Sequence, residues 1–338
     1  MSFRDLENRR RRARSSYTDP KKHYVRIHGW LPVFKKYAAT CRGGIRYLTL
    51  CSKSAIDIRY FRLHKLLLHD DKEKRYPTVT FIEEDAQDYA TIAETLGTTR
   101  LGIKGALEKI LLEPATYPDD HNALIKSFPY DIINLDFTGD VVPESDPPYN
   151  STIQAIERII QAQHEAKAKV WHMFLTFRAC RSTANNEANS QLQRIIEDNL
   201  IDVGAKTAYG ARPVPSMLLT TDYKEFLRIG MPKFLAHSSG ARGYVFNLDG
   251  SYYYPRQPPG GTAYYIIKLI AGFRPFRPAG HLPNPHDSAR VYKEAVCQIF
   301  GSKGVDVYSC LGSAAERVRT RRDLDPVMQE LKQDGLVD

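Results

Sequence analysis

The chain has 338 residues, enough for one large α/β domain with an appendage or for two small domains, and 42% hydrophobic with 26% charged residues suits a sizeable core. No apolar run approaches the ~20 residues needed to span a bilayer, and the start, MSFRDLENRRRRARSS, has no apolar segment after its charges, which argues against a secretory signal. The net charge of +9 is uneven, because residues 1–26 hold seven arginines and two lysines against three acids. That arm either tracks nucleic-acid phosphates or is a solvated, partner-binding tail.

The five cysteines (Cys41, Cys51, Cys180, Cys297, Cys310) are scattered, with no CxxC pair and no Cys/His zinc spacing. We therefore expect reduced thiols, no structural metal and a cytoplasmic setting.

In chain order, residues 1–22 read as flexible, ending at Pro20, and the segment up to Gly44 as one short helix. Gly43 and Gly44 break the chain before the strand IRYLTL (45–50), and SAIDIRYFRLHKLLLH (54–69) follows at helical spacing. The pattern repeats: strand TVTFIEED (78–85), helix 86–97 stopped by Gly97, a short strand in TRLGIKG, and helical ALEKILLE. Then come the apolar strand YDIINLDF (130–137), the periodic helix 151–168, the strand KVWHMFLTFRA (169–179) and the helix 186–200. Apolar strands alternating with amphipathic helices predict a doubly wound α/β fold, mostly parallel, with helices on both faces. The runs 243–255 and 262–276 are joined by RQPPGG, which is too short for a crossover, so an antiparallel hairpin ends the sheet. Two or three helical segments follow residue 285. The expected layout is a basic arm with a short helical segment (1–40), the sheet domain (41–276) and a helical appendage (277–338).

Five parallel strands with a C-terminal antiparallel hairpin resemble the class I S-adenosylmethionine-dependent methyltransferase fold over residues 41–276. The likeness rests on element order and on three strand ends, because ligands of open α/β sheets bind beyond the carboxyl ends of strands. The first end, LTLCSKSAIDIRYF, carries Cys51, Ser52, Lys53 and Ser54 where the family usually has glycines against the methionine part of the cofactor. Small residues at 51, 52 and 54 permit close approach, Lys53 can meet a carboxylate, and the helix N-terminus offers amides; equally, this is an ordinary turn with Ser54 as N-cap.

The second end, TFIEED, offers Glu83, with Glu84 and Asp85 as rivals, for the ribose hydroxyls that the resemblance implies; a solvated turn is the alternative. The third, DIINLDFTGDV, ends an apolar strand on Asp136, where a carboxylate is costly unless paired or in a cleft. There the resemblance places substrate contacts: Asp136 to orient the acceptor or take a proton, Phe137 to stack on a base, and Thr138 with Gly139 to keep the turn open.

The tetrapeptide Asp146-Pro147-Pro148-Tyr149 spells an amino-methyltransferase motif, but it lies ten residues past Asp136. It reads as a rim loop and cap before the next helix, leaving Tyr149 as a possible substrate contact. Tyr252, Tyr253 and Tyr254 read as core with a stacking role as the alternative, and His172 as a satisfied core histidine. Asp57 and Arg59 either face the cleft or pair with solvent.

The resemblance implies a methyltransferase-like protein that binds S-adenosylmethionine and acts on nucleic acid. The alternatives are a catalytically inactive module of the same fold that binds nucleic acid or assembles a complex, and another nucleotide-processing enzyme on a doubly wound sheet.

Overall fold

The computed structural model describes residues 19–41, 44–52, 54–67, 78–96, 100–141, 151–180, 186–257, 261–276 and 285–334. Five strands run parallel: β1 (Tyr47–Leu50), β2 (Val79–Glu83), β3 (Arg100–Lys104), β4 (Ile132–Asp140) and β5 (Trp171–Ala179). The last two long strands, β6 (Tyr244–Arg256) and β7 (Tyr264–Pro275), form the expected hairpin, and β7 lies antiparallel to β5. A short β8 (Val305–Asp306) closes an eight-stranded sheet of order β3-β2-β1-β4-β5-β7-β6-β8. The direction of winding reverses between β1 and β4, so the crevice for a ligand opens at their carboxyl ends.

Alternation along each strand sends side chains to two separate cores. On β4, Ile132 enters one and Ile133 and Leu135 the other. One face is covered by α1 (Pro20–Val25), a π turn (Arg26–Trp30) and α2 (Leu31–Thr40). It is completed by α3 (Ile56–Leu63), α4 (Ala86–Leu96), α13 (Val307–Cys310) and α14 (Ala314–Gln333). The other face carries α5 (Leu107–Leu112), α6 (Pro118–Lys126), α7 (Ser151–Glu165) and α8 (Asn186–Glu197). It continues through α9 (Val203–Tyr209), α10 (Pro215–Thr221), α11 (Tyr223–Gly240) and α12 (Pro285–Gly301). Both ends of the chain thus feed one layer: Trp30 and Phe34 share a core with Leu324, Val327 and Leu331.

Four local expectations change. Pro20 does not end a flexible arm but opens a helix: Asp19 caps it by accepting the Lys21 amide at 3.0 Å, and proline suits the first helical turn. Helical structure then continues to Thr40, longer than one short helix. α14 is a single helix through Pro326 because Leu324, Val327 and Leu331 bury on one side of it and outweigh the missing amide. No periodic signal marks α11: Phe226, Leu227, Ile229, Met231 and Leu235 are buried with Arg228 and Lys233, which leaves no polar stripe to read.

Among the described residues no helix is long and apolar enough to cross a membrane. None of the five cysteines is in a disulfide.

Candidate active site

The β1–α3 turn is not capped as expected. Ser54 does not cap the helix; the N-cap is Ala55, held at φ 44° in the left-handed region with no side-chain cap bond. A non-glycine residue there costs about 1–2 kcal/mol, a strain that the surrounding turn must impose. The turn closes through the Ala55 amide on the Ser52 carbonyl at 2.8 Å, and the Ser52 and Ser54 hydroxyls lie 3.2 Å apart. Ser54 and Cys51 are buried while Ser52 is exposed. Burial pushes the Cys51 thiol well above its ordinary range, and the negative charges of Asp57 and Glu83 push it further. Register pairs Leu50 with Ile82, which sets the end of β2 beside this turn. Lys53 lies outside the described residues.

Asp57 and Arg59 are buried and paired within the protein, not with solvent. Asp57 Oδ2 accepts from Tyr47 Oη at 2.6 Å, Thr49 Oγ1 at 3.0 Å and Asn134 Nδ2 at 3.2 Å, forming a polar floor where β1 meets β4. Arg59 donates to the Ser54 carbonyl and pairs with Glu330 at 2.9 Å and Asp334 at 2.6 Å, tying the turn to α14. Asn134 Oδ1 has no partner, although it is buried in this floor.

At the second strand end the three acids separate by role. Asp85 caps α4, its Oδ1 accepting the amides of Gln87 at 2.9 Å and Asp88 at 3.0 Å. Glu84 is exposed. Glu83 is half-buried, its Oε1 accepts the Asp85 amide at 2.8 Å, and desolvation raises its carboxyl above the usual range. Of the three, Glu83 lies at the end of β2 and within the electrostatic reach of Cys51.

The third end is longer than expected. β4 continues past Phe137 to Asp140, with a register irregularity against β5 between Asp136 and Asp140, so Thr138 and Gly139 lie in the strand and not in an open turn. Asp136 and Phe137 point to opposite faces. Phe137 packs into the core beneath α7, while Asp136 lies on the face roofed by α1. Tyr149 and the rest of Asp146-Pro147-Pro148-Tyr149 lie outside the described residues, as does the arm 1–18.

The partners of Asp136 come from far along the chain. Register aligns Asp136 with Thr176 on β5, Lys268 on β7 and Tyr252 on β6 in one row across the sheet. Lys268 is buried, donates to Thr176 Oγ1 at 2.8 Å and lies 3.7 Å from Asp136 Oδ1. Its ammonium also sits 5.0 Å from the Trp30 ring centre. Burial would raise the Asp136 carboxyl, but Lys268, Lys22 and Arg26 outweigh it and hold it below the usual range. Burial lowers Lys268 to about 8, with Asp136 opposing that fall.

The sequence offers one signal for Lys268: it is a lone cation in the apolar run YYIIKLIAGF, where an unpaired ammonium is costly. Nothing in the run names its partner.

His172 is a satisfied core residue. Its Nδ1 meets Tyr37 Oη at 2.9 Å and its Nε2 meets Asp249 Oδ2 at 2.8 Å, at the amino end of β5 away from the crevice. Of the tyrosine run, Tyr254 is fully buried and Tyr252 and Tyr253 half-buried.

A family model described as PP_RS20740-like matches residues 115–258, from α6 to the end of β6. That stretch includes Asp136, Thr176 and Tyr254 and stops short of Lys268. No curated protein matches the chain.

Proposed function

We propose that the protein is an S-adenosylmethionine-dependent methyltransferase acting on nucleic acid in the cytoplasm. The observation that carries this reading is the strand order, with winding reversed between β1 and β4 and an antiparallel β7 inserted between β5 and β6. This is the order expected of the class I methyltransferase fold. The residues at the crevice suit the donor. Glu83 is positioned to accept hydrogen bonds from a ribose diol, and the first turn of α3, with no side-chain cap, offers amides to a carboxylate. Ser52 and Ser54 stand at that turn. Bound there, the donor would supply a methyl group activated on a sulfonium.

The chain's own part is to hold and orient the acceptor. Asp136 stays ionised against Lys268, which makes it a weak base and a good hydrogen-bond acceptor for an N–H or O–H. Lys268 is the neighbouring group that changes charge near pH 8. Nucleic acid is supported by the basic arm and by Arg317, Arg319, Arg321 and Arg322, all exposed on α14. Tyr308, 63% exposed just before that helix, adds a stacking surface.

A module that keeps the fold without catalysis is the second reading. It is favoured by the β1–α3 turn, which has a strained alanine and buried side chains where glycine would leave bare backbone. Calorimetry with S-adenosylmethionine and S-adenosylhomocysteine separates the two. Binding that Glu83→Ala weakens about tenfold or more supports the first, since a lost hydrogen bond to a charged group costs about 1.5–3 kcal/mol. No binding at millimolar ligand removes it. Asp136→Ala should spare donor binding and lower methyl incorporation into cellular nucleic acid.

A further inference from the structure

Beneath the N-terminal helix, next to Asp136, lies a set of buried donors that the protein itself does not use. Arg26 Nε, Trp30 Nε1 and Tyr254 Oη are each buried without a hydrogen-bond partner among the described residues. Their residues are all at least nine-tenths buried: Arg26 is 6%, Trp30 2% and Tyr254 0% exposed. An orphaned buried donor costs about 1–3 kcal/mol, so three on one face are a large penalty for a fold to carry without use.

The three lie on the face of the sheet that carries Lys268. The Trp30 ring lies 5.0 Å from its ammonium and 5.8 Å from the Arg26 guanidinium carbon. Tyr254 is one row further along the same face, opposite Ile266 of β7. Charge agrees with donor count. Lys22, Arg26 and Lys268 act on one another and on Asp136, while the acids in reach are Asp136 and Asp19, whose carboxylate already caps α1. Neither carboxylate lies within hydrogen-bond distance of the three donors.

The backbone is shaped to bring the donors here. Arg26 and Trp30 bracket the π turn, an irregularity frequent at functional sites. Gly29 within it lets the turn settle on the sheet, since an added Cβ would come 2.7 Å from Ile270 Cδ1 and 3.2 Å from Tyr252 Cε2.

We propose that Arg26, Trp30, Tyr254 and Lys268, with Lys22 at the rim, form a binding site for the phosphate group of a nucleotide ligand. Phosphate is favoured because it presents several strong acceptor oxygens at once, matching separate unused donors carried by a helical turn and two strands on one face. The anion site stands on its own geometry; only the assignment of this phosphate to the methyl acceptor rests on the function proposed above. In that case the site would hold the acceptor by its phosphate beside Asp136.

The test is calorimetry on the full chain with a nucleoside, its 5′-monophosphate and a short single-stranded oligonucleotide. The monophosphate or the oligonucleotide should bind at least about tenfold more tightly than the nucleoside, as a charge-assisted hydrogen bond implies. Monophosphate binding equal to that of the oligonucleotide marks a free nucleotide; oligonucleotide binding alone marks a backbone diester. Tyr254→Phe should cut the advantage several-fold without lowering the melting temperature, and Arg26→Gln should cut it further. Equal affinity for nucleoside and phosphorylated ligands overturns the site. So does a Tyr254→Phe protein that keeps the full phosphate advantage. S-adenosylmethionine binding measured alongside tells the two ideas apart: donor binding without phosphate discrimination ends the anion site, and the reverse ends the methyl-transfer reading.

Discussion

Two polar clusters share one face of the sheet and differ in how they are completed. At the amino end, Tyr37, His172 and Asp249 form a closed chain in which both imidazole nitrogens have partners. At the carboxyl end, Lys268 and Asp136 are 3.7 Å apart, with Arg26, Trp30 and Tyr254 leaving donors unused on the same face. Buried polar groups are normally satisfied, so the closed cluster needs only a structural role. The open one calls for a ligand.

The closed cluster depends on a missing side chain. β7 lies between β5 and β6, and Gly272 lets His172 and Asp249 meet across it: an added Cβ would sit 2.8 Å from Asp249 Oδ2 and 3.2 Å from His172 Nε2. Gly272→Ala should therefore cost about 3 kcal/mol, combining overpacking with a broken buried bond, and urea unfolding measures it. Ligand binding by the folded fraction should be unchanged. A shift under about 0.5 kcal/mol would mean that the amino-end cluster is not closed in the sense drawn here.

A smaller loss should follow when the roof of the open cluster is loosened. Asp323 on α14 accepts from Tyr60 Oη at 2.6 Å and sits 3.3 Å from His23 on α1, while Glu316 meets His28 at 2.7 Å. Asp323→Asn should cost about 2 kcal/mol and speed hydrogen exchange in α1 more than in the strands. Burial would raise the Asp323 carboxyl, but the Tyr60 hydroxyl bond and the neighbouring His23 ring hold it below its ordinary value. Its contribution is therefore present above the unfolded carboxylate range and lost as pH falls through the folded value, so acid should release α1 early.

The buried lysines sharpen the contrast through pH. Lys233 on α11 resembles the closed case: it donates to Tyr292 Oη at 2.8 Å and lies 4.5 Å from that ring's centre. Burial lowers Lys233 to about 7 and Lys268 to about 8, against 10.5 for an exposed lysine. Over that interval the unfolded chain binds more protons, so stability should rise with pH from about 7 to about 9.5, where tyrosine ionisation intervenes. Lys233→Met should flatten the first part of the rise, and an unaltered slope would place that proton elsewhere.

Smallest of all, Ser251→Ala should raise stability by about 1 kcal/mol, because it removes a buried hydroxyl that has no partner among the described residues.

Much of the scaffold was legible from local chemistry. Runs such as TVTFIE and WHMFLTF are strands because β-branched and aromatic residues fit a pleat buried on both faces, and RQPPGG permits only a hairpin. Asp136 stood out as a costly carboxylate after an apolar run, and it does have a cation beside it, although β4 runs on to Asp140 instead of ending there. Less legible were elements whose burial hides their period, such as α11, or overrides a proline, as at Pro326 of α14. The opposite orientations of Asp136 and Phe137 follow from strand alternation once β4 is known to run on to Asp140.

By itself, then, the sequence determined the alternation of elements, the parallel core with its antiparallel end and the costly carboxylate that follows the apolar run of β4, because periodicity and turn chemistry act within a few residues. Only the tertiary structure decided what that carboxylate meets. Lys268, Thr176, Arg26 and Tyr254 lie on four separate elements, and their juxtaposition is set by strand order and register and by the packing of a π turn over β7. Long-range pairings of that kind leave no periodic trace in the chain that makes them.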